Sequence, residues 1–347
     1  MVAEGFEEGA YGHDEATGLR AIVAVHSTVL GPALGGTRFY PYADEESALV
    51  DVCRLAKGMT YKHAAAGLHQ GGGKAVIIGD PKVLRSDALI TAYARFVDGL
   101  AGRYVTAEDV GTTQADMDLV RSVTPHVAGV SESLGGSGDP SPATALGVLW
   151  AMRAVAEHLW GSSSLEGKHV CISGVGKVGS ALADHLHEAG ARLTVSDVRP
   201  EAVAAVVERT GAATVDPAGA HRVACDLFSP CALGAVLNES TIPELGCAAV
   251  CGSANNQLAT PEDGDRARAA GVLYAPDYVV NAGGVINIAE ERHGYDRARA
   301  EASIARIYET TRAVLALAER EGCTPAEAAD RYAEARLDEA RRAAQPS

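Results

Sequence analysis

Two lysines on either side of a glycine run mark the stretch of this chain best suited to chemistry. Lys62 and Lys74 flank residues 71–73, which are all glycine, and Lys74 opens an apolar segment, 74–78, typical of a strand. A lysine at the mouth of such a strand is costly to bury unless its ammonium meets an anion or takes part in a reaction. Because glycine has no side chain, a small ligand can reach the backbone and the ammonium together. We therefore expect residues 57–74 to form half of an active site.

Two carboxylates follow another short apolar segment. Residues 104–107 are predicted to form a buried strand, and Glu108 and Asp109 come directly after it. The carboxyl ends of strands are where α/β folds collect ligand-binding groups. A helix cap is the alternative for Asp109, because a Gly-Thr-Thr turn comes next. The two lysines in the same part of the chain favour chemistry.

Residues 31–38, GPALGGTR, are predicted to form a loop after a strand at 19–28. The backbone N–H groups of Gly35 and Gly36, together with the cationic Arg38, could hold a carboxylate there. A tight turn without a ligand explains the same residues. This segment by itself leaves both interpretations open.

A pattern typical of dinucleotide binding begins at residue 169. An apolar strand at 169–173 leads into G-x-G-x-x-G at 174–179, a helix is predicted at 180–189 and a second strand at 192–196, and Asp197 ends that strand. The glycine motif alone is weak evidence. Strand, glycines, helix, second strand and terminal acid in this order predict a Rossmann nucleotide site.

The residue types of this motif have separate physical roles. Gly174 permits the tight turn, Gly176 lets a pyrophosphate approach the backbone, and Gly179 lets helix and strand pack closely. Asp197 would accept hydrogen bonds from the adenine ribose and repel a 2′-phosphate, which favours NAD over NADP. Arg199, two residues later, makes this preference less strict.

Later strands also end in small or amide residues. Strands are predicted at 226–229 and 248–252, and residues 278–287 form another apolar segment interrupted by glycines. Asn255 and Asn281 lie at such ends. We expect them to donate hydrogen bonds to a nicotinamide ring or to a substrate.

Capping residues and a change in composition set the remaining boundaries. The sequence from 131 to 142 is rich in Gly, Ser and Pro and predicts a domain boundary. Helices are predicted at 44–59, from Ser86, from Ser141 as N-cap to about His158, up to Gly322, and from the capping box at residues 324–327.

Composition excludes several classes of protein. The 347 residues carry a formal net charge of −15, which argues against nucleic acid or an anionic membrane as partner. We expect neither a signal peptide nor a membrane span. Seven scattered cysteines suit free thiols in a reducing compartment, so the expected location is the cytoplasm. No metal site is expected, since the closest pair, Cys247 and Cys251, has no histidine at ligand spacing.

Several motifs, taken together, are far more specific than any one of them. GPALGGTRFY, KGMTYKHAAAG, GGGKAVIIGDP, TAEDVGTT, GVGKVG, CGSANNQ and VVNAGGVIN occur in this order. The chain therefore resembles the glutamate, leucine, phenylalanine and valine dehydrogenase family, from about Gly18 onward, and is most similar to its branched-chain members. The resemblance implies reversible, NAD-dependent oxidative deamination of an L-amino acid to its 2-oxo acid and ammonia.

The resemblance also implies roles for the residues of the N-terminal block. Lys62 would bind the substrate α-carboxylate, aided by the backbone of Gly35 and Gly36. Lys74 would activate water or protonate the developing hydroxyl, and Asp109 would handle the protons of the amino group. Two residues depart from the usual family pattern, because His63 and Gly111 stand where asparagine is common.

Further residues are assigned by the same resemblance to the substrate side chain and the cofactor. The side-chain pocket maps onto Leu34, Ala107, Val285 and Ile288, whose apolar character favours valine over leucine and isoleucine, and all three over phenylalanine. Cofactor contacts map onto Thr144, Gly174, Gly176, Lys177, Val178, Gly179, Asp197, Ala254, Asn255 and Asn281. Asn255 is also assigned to the substrate amine.

The sequence thus predicts an α/β enzyme of two domains that assembles as a homo-oligomer. Residues 1–140, with a C-terminal helix at about 324–347, would form the catalytic and oligomerisation domain, and 141–323 the Rossmann NAD-binding domain. Phenylalanine dehydrogenase is the alternative within enzymes. A catalytically silent NAD-binding regulatory protein is the alternative outside them, although such a protein has no need of the two lysines.

Overall fold

The computed structural model describes residues 5–344, which fall into two compact α/β units. The first unit takes in the described residues up to Asp139, Asn287–Ala300 and those from Ala333 onward. The second takes in Pro140–Ile286 and Glu301–Tyr332. The expected fold class, two α/β domains of which one is of the Rossmann type, is confirmed.

The first unit is built on a mixed five-stranded sheet in the order β1-β2-β4-β3-β5. The strands are β1 (Glu8–Asp14), β2 (Leu19–Ser27), β3 (Ala33–Tyr40), β4 (Gly71–Ile78) and β5 (Tyr104–Glu108). β3 runs parallel to both β4 and β5, whereas β2 is antiparallel to β1 and β4. The carboxyl ends of β3, β4 and β5 therefore lie at one edge of the sheet.

Four helices follow these strands: α1 (Glu45–Ala65), α2 (Pro81–Leu84), α3 (Asp87–Gly99) and α4 (Gln114–Arg121). Ser86 caps α3 as predicted, and its side chain accepts a hydrogen bond from the Leu89 N–H. The buried face of α3 carries Leu89, Tyr93 and Val97, which pack into the core of the sheet. Helix α1 ends at Ala65, six residues later than predicted, so that it carries Lys62.

The loop predicted at residues 31–38 is wrong, because most of it forms strand β3. A glycine pair weakens a strand, yet here it meets a packing requirement. A Cβ at Gly35 would lie 1.8 Å from the Gly73 carbonyl oxygen, and one at Gly36 would lie 2.5 Å from that of Glu108. Backbones on both sides of β3 approach it too closely for any side chain at these two positions.

The second unit contains a six-stranded, wholly parallel sheet in the order β11-β10-β9-β6-β7-β8. This is the strand order of the doubly wound dinucleotide-binding fold. The strands are β6 (His169–Ser173), β7 (Arg192–Ser196), β8 (Ala213–Thr214), β9 (Cys225–Pro230), β10 (Cys247–Val250) and β11 (Leu273–Tyr274). The predicted bounds of β6 and β7 are confirmed.

The later helices are α5 (Ser141–Trp160), α6 (Lys177–Glu188), α7 (Pro200–Thr210), α8 (Glu262–Ala269), α9 (Asp277–Val280), α10 (Gly283–Ala289), α11 (Arg297–Ala305), α12 (Ile307–Glu321) and α13 (Pro325–Ala344). Helix α5 begins one residue earlier than predicted, with Pro140 rather than Ser141 as N-cap. The capping box at the start of α13 is confirmed, since Thr324 and Glu327 exchange hydrogen bonds.

The apolar segment at 278–287 is helical, in α9 and α10, and not a continuation of the strand pattern. Val279, Val280 and Ile286 are buried, as in a strand. A short apolar run bounded by glycines does not distinguish a buried strand from a buried helix. The helical spacing became evident only from the structure.

Helix α13 reaches back to the end of α1 within the first unit. The Arg336 guanidinium donates hydrogen bonds to the carbonyl oxygens of His63 at 3.1 Å, Ala64 at 2.8 Å and Leu68 at 2.8 Å. The last carbonyls of a helix have no partner inside it, so a cation there satisfies them and complements the helix dipole. Arg336 thereby fixes the turn that follows Lys62.

Within residues 5–344 no helix is both long and apolar enough to cross a membrane. In the same part of the chain, no group of at least three His, Cys, Asp or Glu side chains could hold a metal ion. The seven cysteines are free thiols.

Candidate active site

Lys74 and Asp109 form a buried ion pair in the first unit. Lys74 lies in the middle of β4, and Asp109 follows the last residue of β5. The Lys74 Nζ lies 2.5 Å from Asp109 Oδ2, and the side chains are 9% and 20% exposed. The structure therefore brings together the two residues to which sequence analysis assigned catalysis.

The surroundings of Asp109 keep its carboxyl group ionised. Burial by itself would raise the pKa of Asp109, but the Lys74 ammonium and the Arg38 guanidinium outweigh that effect, and the pKa lies below its ordinary value. The Asp109 N–H also donates to Thr112 Oγ1 at 3.0 Å, which fixes the backbone at this point. A carboxylate held in this way can accept protons or stabilise a positive charge.

Helix α1 brings Lys62 to the start of β4. The Gly72 Cα lies so close to α1 that a Cβ there would lie 2.1 Å from the backbone nitrogen of Thr60, two residues before Lys62. Lys62 is half-buried. Lys62, predicted to bind the substrate carboxylate, thus lies on helix α1, and Lys74, predicted to be catalytic, lies on strand β4. The two elements pack against each other.

His63, one of the two departures from the family pattern, is a fully buried link between these elements. Its Nδ1–H donates to the Gly71 carbonyl oxygen at 2.7 Å, and Nε2 has no hydrogen-bond partner in residues 5–344. Burial lowers the pKa of His63 to about 4, so the imidazole is neutral at physiological pH. A neutral histidine therefore ties the end of α1 to the start of β4.

Gly111, the other departure, has a direct backbone explanation. Its φ is +84°, in the left-handed region, and a Cβ there would lie 2.0 Å from the Phe39 carbonyl oxygen. Asparagine tolerates such a φ better than other residues do, but it cannot avoid this contact. Glycine is required for the turn that follows Asp109 in this chain.

Gly35 and Gly36 lie beside the ion pair. A Cβ on Gly36 would lie 2.8 Å from the Asp109 Cβ, so these two backbones are in close contact. The ladder between β3 and β4 pairs Leu34 and Thr37 but neither glycine. The Tyr104 hydroxyl donates to the Gly35 carbonyl oxygen at 2.6 Å and fixes this part of β3.

The four residues of the predicted side-chain pocket divide into two groups. Leu34 and Ile288 line a cavity of about 360 Å³ in the first unit. Ala107 is buried in β5 and Val285 is half-buried in the second unit, and neither lines this cavity. Val105, Gln70 and His126 also line it, and sequence analysis did not assign them.

The glycine loop of the second unit has the geometry that its motif predicts. Gly174 has a φ of +99°, and Gly176 is the N-cap of α6, whose first two residues are Lys177 and Val178. A Cβ on Gly179 would lie 2.0 Å from the Gly174 carbonyl oxygen. The open turn and the helix N-terminus suit a pyrophosphate.

Asp197 lies where the motif requires an acid. Its carboxylate accepts hydrogen bonds from the Val175 N–H at 2.9 Å, the Arg199 N–H at 3.0 Å and Arg199 Nε at 3.2 Å. Burial alone would raise the pKa of Asp197, but the hydrogen bonds from Arg199 and Val175 outweigh it, and the pKa is lowered. The carboxylate is thus held, ionised, beside the glycine loop.

Asn255 and Asn281 are brought together in the second unit. The Asn281 Nδ2 donates to Asn255 Oδ1 at 2.7 Å and to the Ser253 carbonyl oxygen at 3.0 Å, while Asn281 Oδ1 is buried without a hydrogen-bond partner in residues 5–344. Ala254 is buried beside them. Thr144, on α5, packs against the start of α10, since a Cβ on Gly284 would lie 2.6 Å from its Oγ1. Its hydroxyl donates to the Pro140 carbonyl oxygen at 3.0 Å.

The contacts that hold these residues are evident only in the structure. Arg38, considered as a carboxylate ligand, is engaged with Asp51 and Asp109. Gln257 donates to the carbonyl oxygens of Gly252 at 2.8 Å and Ala254 at 2.9 Å, and so fixes the loop that carries Asn255. For Gln257, its place in the CGSANNQ motif was the one signal in the sequence that could have pointed to this role. No motif pointed to Asp51.

Two related protein families together match almost the whole chain. Residues 11–126 match the family described as Glu/Leu/Phe/Val dehydrogenase, dimerisation domain. Residues 135–201 and 199–344 match the family described as Glutamate/Leucine/Phenylalanine/Valine dehydrogenase.

Individual relatives agree with this match. A leucine dehydrogenase of Geobacillus stearothermophilus is 52% identical over 98% of this chain and 93% of its own length. A valine dehydrogenase of Streptomyces albus is 53% identical over 97% of this chain and 93% of its own length. Among solved structures, L-tryptophan dehydrogenase from Nostoc punctiforme has a TM-score of 0.88 and 41% identity over 98% of both chains. The hetero-hexameric glutamate dehydrogenase from Thermus thermophilus has a TM-score of 0.78 and 26% identity over 98% of this chain and 90% of its own.

Proposed function

The chain belongs to the Glu/Leu/Phe/Val dehydrogenase family of amino-acid dehydrogenases, and from this membership we propose that it oxidatively deaminates a branched-chain L-amino acid with NAD. The amino acid, NAD⁺ and water would give the 2-oxo acid, ammonium, NADH and a proton, in a reversible reaction. The buried pair of Lys74 and Asp109 is the observation that carries the proposal. A catalytically silent binding protein would have no reason to keep a buried lysine there.

In the proposed reaction Lys62 binds the substrate α-carboxylate through its ammonium. The backbone of Gly35 and Gly36, which is unpaired on the β4 side, supports the same carboxylate. Charge-assisted contacts of this kind also orient the Cα–H bond. Asp109 takes a proton from the amino group and stabilises the positive charge of the imine that forms after Cα has lost its hydride.

Lys74 acts on the water that hydrolyses this imine. In its neutral form it removes a proton as the water oxygen attacks the imine carbon, and as an ammonium it returns a proton when the amine leaves. The 2.5 Å contact with the Asp109 carboxylate keeps the Lys74 Nζ in one position for both steps. Lys74 is buried and Asp109 is only 20% exposed, which limits competition from other water.

The residues of the second unit fit a nicotinamide dinucleotide. When bound, this cofactor would supply the acceptor for the Cα hydride. Gly174, Gly176 and Gly179, with the first residues of α6, would hold its pyrophosphate. Asp197 would accept from the adenine ribose and disfavour a 2′-phosphate, which is the basis for proposing NAD.

Further residues of the second unit complete the proposed cofactor site. Asn281 has a buried oxygen without a partner in the described chain and donates to Asn255, so the two amides could bind a carboxamide and the substrate amine. Thr144, Lys177, Val178 and Ala254 are proposed to line the same site.

The proposed substrate preference rests on the apolar character of the residues that the family resemblance assigns to the substrate side chain, Leu34, Ala107, Val285 and Ile288. Ile288 is a branched residue that favours valine, and with Leu34 it lines the cavity of about 360 Å³ in the first unit. A single methylene changes specificity by only about 1–3 kcal/mol, so we expect overlapping activity on valine, leucine and isoleucine. We also propose a homo-oligomer, since the match at residues 11–126 is to a dimerisation domain.

The test measures NADH formation by the purified protein with NAD and L-valine, L-leucine, L-isoleucine, L-phenylalanine or L-glutamate, with D-valine as the stereochemical control. Turnover of the branched-chain L-amino acids, and none of D-valine, is expected. Preference for L-phenylalanine would make the chain a phenylalanine dehydrogenase instead. Absence of turnover on the whole panel, with NAD still bound, would leave the regulatory-protein alternative. Light scattering after size exclusion tests the oligomer.

A further inference from the structure

Arg38 connects the proposed catalytic carboxylate to a second carboxylate. Its Nη1 donates to Asp51 Oδ2 at 2.8 Å, and its Nε lies 3.7 Å from Asp109 Oδ2. Asp51 is itself fixed, since the Tyr42 hydroxyl donates to Oδ2 at 2.7 Å and Arg54 donates to Oδ1 at 2.9 Å. The Arg38 guanidinium is therefore anchored on one side and directed at Asp109 on the other.

Arg38 Nε lies just beyond hydrogen-bond distance of Asp109 Oδ2. Arg38 Nε is buried and makes no hydrogen bond within the described chain, while Asp109 Oδ2 pairs with Lys74. A shift of about 0.8 Å would bring Nε and Oδ2 to the usual N–H···O distance of about 2.9 Å. Asp109 thus has a second cation within reach when its contact with Lys74 changes.

We propose that Arg38 is a positioning residue whose guanidinium holds the Asp109 carboxylate in place and ionised when Lys74 gives up its proton. The inference rests on the proposed function, in which Lys74 passes through a neutral form. At that stage Asp109 would otherwise be a buried carboxylate beside a neutral amine, where it would take up a proton itself. The Arg38 guanidinium remains charged while Lys74 is neutral, so at that stage Arg38 can perform this role and Lys74 cannot.

The charged groups around Asp109 come from two strands. Lys74 faces it from β4 and Arg38 from β3, and both lower the pKa of Asp109 against the opposing effect of burial. Asp51 and Tyr42 contact the far side of Arg38, where burial lowers the pKa of the guanidinium but Asp109 and Asp51 together raise it above its ordinary value. Arg54 contacts Asp51 and not Asp109.

The test compares the pH dependence of kcat/KM in Arg38→Gln with that in Arg54→Gln, a matched control that removes a cation from Asp51 alone. An opposite charge at this range lowers a carboxyl pKa by about 1–3 units, so Arg38→Gln should move the acidic limb of the profile upward by about one unit or more. It should also lower kcat at least tenfold while the KM for NAD stays unchanged. Arg38→Lys should return the acidic limb most of the way to its wild-type pH, and the profile of Arg54→Gln should match that of the wild type.

Asp51→Asn gives a second, independent readout should Arg38→Gln fail to fold. The asparagine amide oxygen can still accept from Arg38 Nη1 and anchor it, whereas the negative charge that competes with Asp109 for the guanidinium is lost. The acidic limb should therefore stay in place or move to lower pH. An upward move in Asp51→Asn, or equal shifts in Arg38→Gln and Arg54→Gln, would overturn the positioning role. A wild-type protein that turns over no amino acid would overturn the proposed function and this inference together. Wild-type turnover with an unshifted Arg38→Gln profile would overturn only the inference.

Discussion

Replacement of Lys74 by alanine tests the proposed catalytic pair most directly. Lys74 is 9% exposed and contacts Asp109 at 2.5 Å, so no other described ammonium is in a position to replace it at that carboxylate. General acid–base catalysis contributes about 10²–10⁴-fold to a rate. We therefore expect kcat/KM for the amino acid to fall by that factor, which corresponds to about 3–5 kcal/mol of transition-state stabilisation.

Lys74→Ala should also lower the free energy of unfolding, but by less than the usual loss of one partner of a buried ion pair. Removing one partner of a buried pair usually costs about 3–5 kcal/mol because the other charge is left uncompensated. Asp109 keeps Arg38 at 3.7 Å and retains 20% exposure. We therefore expect the free energy of unfolding to fall by about 1–3 kcal/mol. Folded protein remains available for the assay.

The assay measures steady-state NADH formation and, separately, NADH binding by fluorescence. Lys74→Ala should bind NADH as the wild type does, because the glycine loop and Asp197 belong to the second unit. Lys57→Ala is the matched control, since Lys57 is exposed on α1 and carries the same charge. Turnover of Lys74→Ala within about tenfold of the control would refute a general acid–base role, given the 10²–10⁴-fold range expected.

Three further predictions concern the surroundings of the pair and the cofactor. Lys62→Ala should raise the KM for the amino acid about 10–100-fold, the value of a charge-assisted hydrogen bond, and leave the KM for NAD unchanged; an unchanged amino-acid KM would count against the carboxylate role. For His63, burial lowers the pKa from 6.5 to about 4, so the unfolded chain takes up a proton first as pH falls between these values. Unfolding free energy, from urea titrations, should therefore drop across that window by up to roughly 3 kcal/mol in the wild type and by clearly less in His63→Asn. Asp197→Ser should lower the ratio of kcat/KM with NAD to kcat/KM with NADP at least tenfold. An unaltered ratio would mean that other groups discriminate between the two cofactors.

Local signals in the sequence were sufficient for much of the second unit. Strand β6, the three glycines, strand β7 and Asp197 follow from residues within one short stretch, and the structure has them as predicted. The caps at Ser86 and Thr324 are equally local. The caps depend on side-chain hydrogen bonds between residues three apart, and the strands and glycines form a pattern within a single βαβ stretch, which is why the sequence indicates them.

Features that depend on distant chain segments were not predictable in this way. Gly35 and Gly36 resemble a loop until the backbones of Gly73 and Glu108 lie against them, and then they are the residues that let β3 fit between its neighbours. The contact of Arg38 with Asp51 and Asp109 likewise joins three elements. The pairing of Lys74 with Asp109 was expected only from the kinds of residue and the family resemblance, and their distance required the fold.

The hydrogen bonds of Arg336 to the end of α1 have a consequence for how the first unit folds. They join residues 273, 272 and 268 positions apart, so the turn after Lys62 gains these partners only when α13 has been synthesised and has docked. During synthesis the first 139 residues would emerge with the carbonyls of that turn open to water, and long-range contacts of this kind form late. The substrate carboxylate site is therefore expected to be completed last, after the Rossmann-type sheet has folded. A ribosome-bound or truncated chain would then bind dinucleotide before it could bind an amino acid.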